Sequence, residues 1–469
     1  MKIEQLYTGC LAEAAYYIES NGEVAIIDPL REVDQYIQMA TENGAKITYV
    51  LETHFHADFV SGHLDLAKKT GATIVFGPTA EPNFEAHIAT DGELLTLGNI
   101  SIKVLHTPGH TMESSTFLVI NEEGEEKAIF TGDTLFIGDV GRPDLAVSTH
   151  LTQEDLAGHL YDSLRNKIMT LPDEVIIYPG HGAGSACGKN MSKETTDTLR
   201  RQKLYNYALR ADMTRDEFIK EVTTGLAKPP QYFPANAILN RMGYESIDEV
   251  LGRGIVNLDV AAFKTLAEDE KTLVLDTRES SEYLRAHIPG SWWIGINDNF
   301  APWVGALIHD LTTPILFVAD EGREQEVVTR LARVGYDNAI GYLEGGMKAW
   351  QAADYQRETI KSVGPHEFVG LYDTEQLNLL DVRKVSEYAS QHVKGAQNFP
   401  LDSLQDDYYQ LNKDKRYYLH CQGGYRSVIA ASILKALGFD NVINIEGGFN
   451  EIKKSCVKLT KYQEPVSML

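Results

Sequence analysis

The C-terminal half of the chain contains one sequence pattern twice. Residues 273–290, LVLDTRESSEYLRAHIPG, align with residues 378–395, NLLDVRKVSEYASQHVKG. Asp276 and Asp381 lie 105 positions apart, and the shared Arg, Glu, Tyr, His and Gly keep the same spacing. A second matching pair, GYDNAIGYLEGG and GFDNVINIEGG, follows later in the two copies. Constant spacing over so many positions is typical of a tandem domain duplication with units of about 100 residues.

The residues before the duplication predict a separate α/β domain. Short apolar runs such as EVAIIDP, ITYVLETH, KAIFTGD and EVIIYPGH are typical of buried strands. The stretches VDQYIQMATENG and TQEDLAGHLYDSL predict helices between some of them, and KPPQYFP breaks the pattern. We therefore predict an α/β protein with three domains, at residues 1–245, 255–355 and 365–465.

Charge and composition exclude several classes of function. The chain has 67 acidic and 43 basic residues, and its net charge of −24 disfavours nucleic acid as a partner. No apolar run approaches the roughly 20 residues of a membrane span, and MKIEQLYTGC has no feature of a secretory leader. The four cysteines form no CxxC pair, as expected for reduced thiols. We predict a cytoplasmic protein with neither nucleic-acid nor membrane partners.

Residues with metal-binding side chains stand where predicted strands of the first domain end. They are His54, His56 and Asp58 in THFHADF, His110 in TPGHT, Asp133 in TGD and His181 in YPGHG. A single histidine in such a place is expected to form a local hydrogen bond, whereas six such residues at strand ends favour a metal site. Phe59 follows Asp58 and has no donor atom, and the residue pattern by itself leaves open whether the site holds one metal or two.

The first domain resembles the metallo-β-lactamase superfamily, whose fold is a four-layer αββα sandwich. THFHADF is similar to the family motif HxHxDH with Phe59 in place of the last histidine, and His110, Asp133 and His181 match the remaining positions. Within the superfamily, FTGDTLFIGDVGRPDL resembles the persulfide dioxygenases. That resemblance implies one Fe(II) per chain, held by His54, His110 and Asp133. It also implies a homo-oligomer, with O₂ and a small thiol persulfide as substrates and sulfite as product.

The same resemblance assigns roles to neighbouring residues. His56, Asp58 and His181 would orient the ligands or handle protons around the iron. Arg142 either grips the anionic part of the thiol carrier or holds its own loop together. Apart from the resemblance, Cys187 follows His181 by six residues in the Gly-rich loop GHGAGSACGK. It accepts persulfide sulfur near the iron, shuttles it between sites, or is a small residue that fills a tight loop.

The second copy of the duplicated pattern carries a reactive cysteine. In YYLHCQGGYRSVIA, Cys421 follows an apolar strand and stands in a loop that contains Gly423 and Gly424 and ends at Arg426. Backbone N–H groups, the following helix and the arginine all favour a thiolate or an anionic persulfide at Cys421. This domain resembles the rhodanese (sulfurtransferase) family, in which four residues separate the cysteine from the arginine, as QGGY does here. The related phosphatases and arsenate reductases have five residues in this interval. We expect this domain to interconvert sulfite plus persulfide with thiosulfate.

The first copy lacks these groups. When PILFVADEGREQEVV is compared with YYLHCQGGYRSVIA, Asp320 stands at the nucleophile position and Gln325 at the position of Arg426. We therefore predict an inactive rhodanese-like domain that serves as a spacer or a docking surface.

Two other functions compete with this interpretation. A dinuclear zinc thioester hydrolase resembling glyoxalase II shares the fold, but it needs the donor that Phe59 removes. A non-enzymatic, persulfide-responsive scaffold would leave the ligand residues and Cys421 without a task. The metal content separates the three hypotheses.

Overall fold

The computed structural model divides the chain into two compact units. It describes residues 1–147, 149–374 and 376–463. Unit 1 comprises Met1–Ile247 together with Ala332–Gly335, and unit 2 comprises Asp248–Leu331 and the described chain from Tyr336 onward. The predicted domain boundary at 465 lies outside the described residues, and the three predicted domain ranges stay predictions.

Unit 1 contains two mixed six-stranded sheets, and the strands of each follow one another in chain order. The first sheet consists of β1 (Lys2–Thr8), β2 (Glu13–Ser20), β3 (Glu23–Ile27), β4 (Lys46–Glu52), β5 (Thr73–Phe76) and β6 (His87–Ile88). The second consists of β7 (Leu94–Leu97), β8 (Ile100–His106), β9 (Ser115–Ile120), β10 (Glu126–Gly132), β11 (Ile176–Pro179) and β12 (Asp197–Thr198).

The strand β2 shows why the sheets stack. Tyr16 faces the second sheet, where it contacts Phe130 with ring centroids 4.9 Å apart. Tyr17, the next residue, belongs to the apolar cluster on the opposite face. Since successive side chains of a strand point to opposite faces, a strand that is apolar at both positions is buried between two layers.

Helices cover the outer faces of both sheets. They are α1 (Asp34–Glu42), α2 (His63–Thr70), α3 (Gln153–Ser163) with a π-helical turn at Leu164–Ile168, α4 (Leu199–Tyr205), α5 (Arg215–Thr223) and α6 (Phe233–Met242). Tyr36 of α1 and Leu66 of α2 pack on the first sheet, and Leu160 of α3 and Phe218 of α5 pack on the second. The layers are therefore helix, sheet, sheet and helix, which confirms the predicted αββα sandwich.

Unit 2 contains two parallel five-stranded sheets of the same topology. The first comprises β13 (Asn257–Leu258), β14 (Leu273–Asp276), β15 (Trp292–Trp293), β16 (Ile315–Val318) and β17 (Ala339–Leu343), in the order β13-β17-β16-β14-β15. The second comprises β18 (Lys361–Val363), β19 (Asn378–Asp381), β20 (Gln397–Asn398), β21 (Tyr417–His420) and β22 (Val442–Ile445), in the order β18-β22-β21-β19-β20. Identical strand order in the two sheets is the structural form of the duplication.

Helices connect these parallel strands, as parallel pairing requires. The first repeat has α7 (Ile247–Gly254), α8 (Val260–Ala267), α9 (Ser280–Arg285), α10 (Phe300–Leu307), α11 (Glu324–Ala332) and α12 (Gly346–Ala352). The second has α13 (Pro365–Thr374), α14 (Val385–Ser390), α15 (Leu404–Asp407), α16 (Tyr425–Ala436) and α17 (Gly448–Ile452), with short 3-10 turns beside α15. Within the described ranges, no helix has both the length and the apolar character needed to cross a membrane.

Candidate functional site

The six residues with metal-binding side chains that the sequence singled out in unit 1 form one continuous buried network. His54, His56 and Asp58 follow β4, His110 lies between β8 and β9, Asp133 follows β10 and His181 follows β11. Each member contacts the next through a ring contact or a short polar contact, in the order His56, His54, His110, Asp133, His181 and Asp58. Strand ends from both sheets thus supply the network, as the strand-end pattern predicted.

Three of the six form a compact group with metal-binding atoms. One donor atom from each of His54, His110 and Asp133 lies within 4.8 Å of the others. Nε2 of His110 is 3.4 Å from Oδ2 of Asp133, and the His54 and His110 rings stand nearly perpendicular, with centroids 4.9 Å apart. Oδ2 of Asp133 is buried without a hydrogen-bond partner in the described part of the chain. Burial of a carboxylate oxygen without a partner costs free energy, unless the oxygen binds a cation or accepts a hydrogen bond.

Hydrogen bonds behind the two histidines fix the orientation of their rings. The Thr53 hydroxyl donates to Oδ2 of Asp28 at 2.8 Å and lies 3.0 Å from Nδ1 of His54, so Nδ1 is the donor in that contact. Nδ1 of His110 donates to the Arg142 carbonyl at 2.9 Å. Both rings therefore keep the lone pair on Nε2, the arrangement that metal-binding histidines have. Burial lowers the pKa of His54 well below its usual value, which keeps its imidazole neutral and able to bind a metal.

His56 does not belong to this group. Its Nε2 lies 3.1 Å from Oδ1 of Asp28 and 3.6 Å from Oε2 of Glu52, and these three residues form a buried group of their own. The fully buried ring of Phe59 lies against the His56 ring, with centroids 4.3 Å apart. The two histidines of the HxH motif therefore have different partners. His54 lies in the group with Asp133, and His56 contacts two carboxylates.

His181 joins two carboxylates. Its Nδ1 lies 2.8 Å from Oδ1 of Asp133, and its Nε2 lies 2.8 Å from Oδ2 of Asp58. Burial lowers the pKa of His181, but the two carboxylates outweigh it and raise the pKa well above its usual value. Burial raises the pKa of Asp133, and His181 and His110 reverse this, so the pKa lies below its usual range. An imidazolium between two carboxylates results, and it holds Asp133 in place beside the histidines.

Cys187 lies next to this pair. Its sulfur is within 4.8 Å of donor atoms of Asp58 and His181, and its side chain is almost fully buried. Burial and the charges of Asp133 and Asp58 raise the pKa of the Cys187 thiol well above its usual value. The structure therefore places Cys187 close to the candidate metal group, as a protonated thiol.

Arg142 is buried in its own loop. Nε and Nη2 donate to the Asp144 carboxylate at 2.6 and 2.7 Å, and Nη1 donates to the Ala186 carbonyl at 3.1 Å. Nη2 also donates to the Ala227 carbonyl. These contacts favour the alternative in which Arg142 holds its loop together, and its carbonyl in turn holds His110. The substrate-binding role of Arg142 stays a prediction.

Sequence reasoning missed four buried residues around the network. Asp28 and Glu52 follow the same rule as the predicted ligands, because they stand at the ends of the runs EVAIID and ITYVLE. Thr53 is an ordinary polar residue that only its contacts distinguish. Glu13 is 1% exposed, and neither carboxylate oxygen has a hydrogen-bond partner among the described residues. Burial raises the pKa of Glu13 well above its usual value, and no feature of the sequence EAAYYIES points to it.

In unit 2, Cys421 lies directly after β21 and is 1% exposed. The Gly424 N–H donates to its sulfur at 3.1 Å, as expected for a loop that stabilises negative charge there. The backbone of Cys421 is closely packed as well, because a Cβ at Gly448 would lie 2.5 Å from the Cys421 carbonyl oxygen. With a φ of +55°, Gly448 is a position that only glycine occupies without strain. Gly423 is exposed in the same loop.

Arg426 closes this loop and is paired with a carboxylate. Its Nη1 and Nη2 donate to the Glu387 carboxylate at 2.6 and 2.9 Å. Burial raises the pKa of Glu387, but Arg426 outweighs it, so the pKa lies below its usual value and the carboxylate stays ionised at neutral pH. The arginine charge beside Cys421 is therefore balanced in part by Glu387.

The strand register corrects the alignment of the first repeat. Asp276 pairs with Val318 in the first sheet, and Asp381 pairs with His420 in the second. The residue that corresponds to Cys421 is consequently Ala319, not Asp320, and the residue that corresponds to Arg426 is Glu324, not Gln325. The predicted positions of both residues were therefore wrong by one. The first repeat still has neither a thiol nor an arginine at these positions.

Comparisons with known proteins agree with these observations. Residues 8–181 match the metallo-beta-lactamase superfamily, and residues 259–353 and 364–455 each match the rhodanese-like domain. The chain is 34% identical to a cytoplasmic hydroxyacylglutathione hydrolase of Arabidopsis thaliana over 39% of this chain and 67% of that one. It is 30% identical to the mitochondrial persulfide dioxygenase ETHE1 of Homo sapiens over 46% of this chain and 78% of that one.

A solved structure extends the similarity into the C-terminal half. A metallo-beta-lactamase from Staphylococcus aureus subsp. aureus COL has a TM-score of 0.64 and 32% identity, and it covers 73% of this chain and 98% of its own. The chain belongs to the metallo-β-lactamase superfamily. Its C-terminal half consists of two rhodanese-like domains, which confirms the predicted fusion. The metallo-β-lactamase fold binds metal, and the donors His54, His110 and Asp133 fit a divalent ion.

Proposed function

We propose that the protein is an Fe(II) persulfide dioxygenase coupled to a rhodanese sulfurtransferase. The observation that carries the proposal is the composition of the buried group, two histidines and one carboxylate, with His56 directed to Asp28 and Glu52 instead. Two histidines and one carboxylate suit non-haem Fe(II), whereas a third histidine is common in zinc sites. The similarity to the human persulfide dioxygenase supports the same activity.

The residues of the unit 1 network would have separate roles in such a site. His54, His110 and Asp133 would hold the iron. A bound Fe(II) would supply the redox chemistry that transfers oxygen from O₂ to a persulfide sulfur. Asp28, through the Thr53 hydroxyl, keeps Nε2 of His54 free to bind.

His181 and the burial of the network complete the site. His181 holds a proton between the Asp133 and Asp58 carboxylates, and so keeps Asp133 ionised and correctly oriented. Because the network is buried, bulk water is kept away from it. Cys187 lies beside Asp58 and His181, and its role as an acceptor of persulfide sulfur stays a prediction, because a thiol with a raised pKa must lose its proton before it can attack a persulfide.

The second rhodanese-like domain would use the sulfite that the first reaction forms. That reaction converts R–SSH, O₂ and H₂O into R–SH, sulfite and two protons. The Cys421 thiolate attacks the outer sulfur of a second persulfide, R–S⁻ leaves, and Cys421 becomes a persulfide. Sulfite then takes the outer sulfur, forms thiosulfate and returns the thiolate. The Gly424 N–H, 3.1 Å from the Cys421 sulfur, stabilises the negative charge at each stage.

A second candidate function is thioester hydrolysis by a dinuclear zinc site. The identity of 34% to the Arabidopsis hydroxyacylglutathione hydrolase favours it. Phe59 argues against a dinuclear site, because its ring is fully buried against His56 and offers no donor atom to a second metal. The hydrolase would also give Cys421 no task.

Metal-dependent activity distinguishes the two functions. The protein would be purified without oxygen and loaded with Fe(II) or with Zn(II) in parallel. We expect O₂ uptake with glutathione persulfide or coenzyme A persulfide in the iron form, and little hydrolysis of S-lactoylglutathione in either form. Thioester hydrolysis that needs zinc, with no O₂ uptake on either persulfide, would replace the dioxygenase by the hydrolase.

A further inference from the structure

The edge strand of the first sheet forms a hydrogen bond with a helix of the second repeat. Strand β15 is the edge strand of the first sheet, and an edge strand leaves backbone N–H groups without a partner in the sheet. The Trp293 N–H donates to Oγ of Ser432 at 2.9 Å, and Ser432 is a fully buried residue of α16. The Ser432 hydroxyl in turn donates to the Ile429 carbonyl at 2.8 Å. The helix that follows the Cys421 loop therefore completes the edge of the neighbouring sheet.

A second contact between the repeats involves Tyr425, the first residue of α16. Its hydroxyl donates to the Gly295 carbonyl at 2.7 Å, and its ring meets the Trp293 ring edge-on, with centroids 5.1 Å apart at 64°. The Trp293 ring is itself fixed, because its indole N–H donates to the Arg278 carbonyl at 2.8 Å and its side chain is 2% exposed. Trp293 and Gly295 thus form a rigid seat for the Tyr425 side chain.

Tyr425 is also part of the catalytic loop. It stands in the four-residue interval between Cys421 and Arg426, directly after Gly424. The Gly424 N–H points at the Cys421 sulfur, and the φ of +113° at Gly424 is one that glycine adopts and leaves easily. The contacts of the Tyr425 side chain, one residue away, restrict the conformations that this glycine turn can adopt.

We propose that the first repeat acts as a positioning partner of the Cys421 loop, with Trp293 and Gly295 holding Tyr425. This inference rests on the proposed sulfur transfer at Cys421 for its activity assay, but not for its structural assay. It gives the first repeat a role other than spacer or docking surface, although the repeat has Ala319 and Glu324 where the second has Cys421 and Arg426. Trp293 and Tyr425 are positioning residues, since neither carries the sulfur.

The test compares the full-length protein with four variants. Trp293→Ala removes the seat, Trp293→Phe keeps an aromatic ring in it, and Tyr425→Phe removes only the hydroxyl. Tyr336→Phe is the matched control, because it removes a buried tyrosine hydroxyl that donates to the Ile308 carbonyl within the first repeat. Two quantities are measured: kcat and KM for thiosulfate formation from glutathione persulfide and sulfite, and the rate at which iodoacetamide alkylates Cys421, followed by peptide mass spectrometry.

We expect Trp293→Ala to lower kcat by about tenfold or more with a smaller change in KM, because loop misplacement reduces catalysis strongly. Cys421 should be alkylated several-fold faster, since the loop opens. Trp293→Phe should restore most of the activity, Tyr425→Phe should show a weaker form of the same effects, and Tyr336→Phe should match the wild type.

Wild-type kcat and alkylation in Trp293→Ala would overturn the proposal. If Trp293→Ala fails to fold, Tyr425→Phe decides, and wild-type behaviour in it would overturn the proposal too. Absence of thiosulfate formation in the wild type would contradict the proposed sulfur transfer at Cys421 and not the positioning role of the first repeat. The alkylation rates would still report on the loop.

Discussion

At the scale of single residues, the partners of His56 determine the character of the metal group. Asp28 and Glu52 lie within 3.6 Å of its Nε2, while His54 takes part in the group with His110 and Asp133. Two histidines that stand two positions apart therefore have different chemical environments. The sequence pattern alone treats them as equivalent, because both lie in one loop after β4.

This difference predicts unequal effects of removing each histidine. His54→Ala deletes a donor of the candidate group, so the protein reconstituted with Fe(II) should retain well under half of the wild-type iron. His56→Ala should keep close to one iron per chain, because His56 is not one of the three donors. Iron is measured by inductively coupled plasma mass spectrometry after desalting. Equal loss in the two variants would contradict the assignment of three ligands.

Glu387 predicts a second effect at this scale. Its carboxylate neutralises Arg426, so Glu387→Gln should leave the arginine free to attract sulfite and lower the KM for sulfite several-fold. Glu282→Gln in the first repeat is the matched control. Glu282 lies 3.6 Å from Arg278 in a domain that lacks the cysteine. Steady-state thiosulfate formation measures both variants, and an unchanged KM for sulfite in Glu387→Gln would show that the pair does not control anion binding.

At the scale of elements, strand ends mark the position of the buried network. The rule that a polar residue after an apolar run lies at the rim of a sheet identified all six residues of the network. It failed for Glu13, because Glu13 is the first residue of β2 and the rule considers only residues that follow a strand. The misplacement of Asp320 has another cause. The spacing of 105 residues in the first part of the repeat does not hold in this loop, and only strand pairing shows the change.

The helices α12 and α17, which follow the last strands of the two repeats, allow a matched comparison of elements. Gly448 and Gly346 occupy equivalent places with the same φ of +55°. A Cβ at Gly448 would lie 2.5 Å from the Cys421 carbonyl oxygen, which is a clash, whereas a Cβ at Gly346 would lie 3.8 Å from the Ala319 carbonyl oxygen, which is an ordinary contact. Both alanine variants pay about 1–2 kcal/mol for the left-handed backbone. Gly448→Ala should cost about 1–3 kcal/mol more because of the overlap.

Scanning calorimetry of the full chain tests this difference. The transition midpoint should fall further in Gly448→Ala than in Gly346→Ala, and the alkylation of Cys421 should change only in the former. Equal midpoints would mean that the loop around Cys421 relaxes more easily than the packing indicates.

At the scale of the whole molecule, the sequence predicted the order of domains and the class of each. Repetition and strand-end motifs survive in the sequence because they reflect local spacing. The contact of Tyr425 with Trp293 and Gly295 could not be predicted, because it joins residues about 130 positions apart and because neither Trp293 nor Gly295 belongs to a motif. Side-chain direction, as for His56, is likewise set by packing against distant elements.

The central claim is that one chain oxidises a persulfide and then transfers sulfur to the product. The most direct measurement follows O₂ uptake, sulfite and thiosulfate together for the Fe(II)-loaded wild type and for Cys421→Ser, with glutathione persulfide as substrate. We predict O₂ uptake in both proteins, with thiosulfate as the main product of the wild type and sulfite as that of the variant. Thiosulfate formation that is the same in both proteins, or no O₂ uptake in either, would contradict the account.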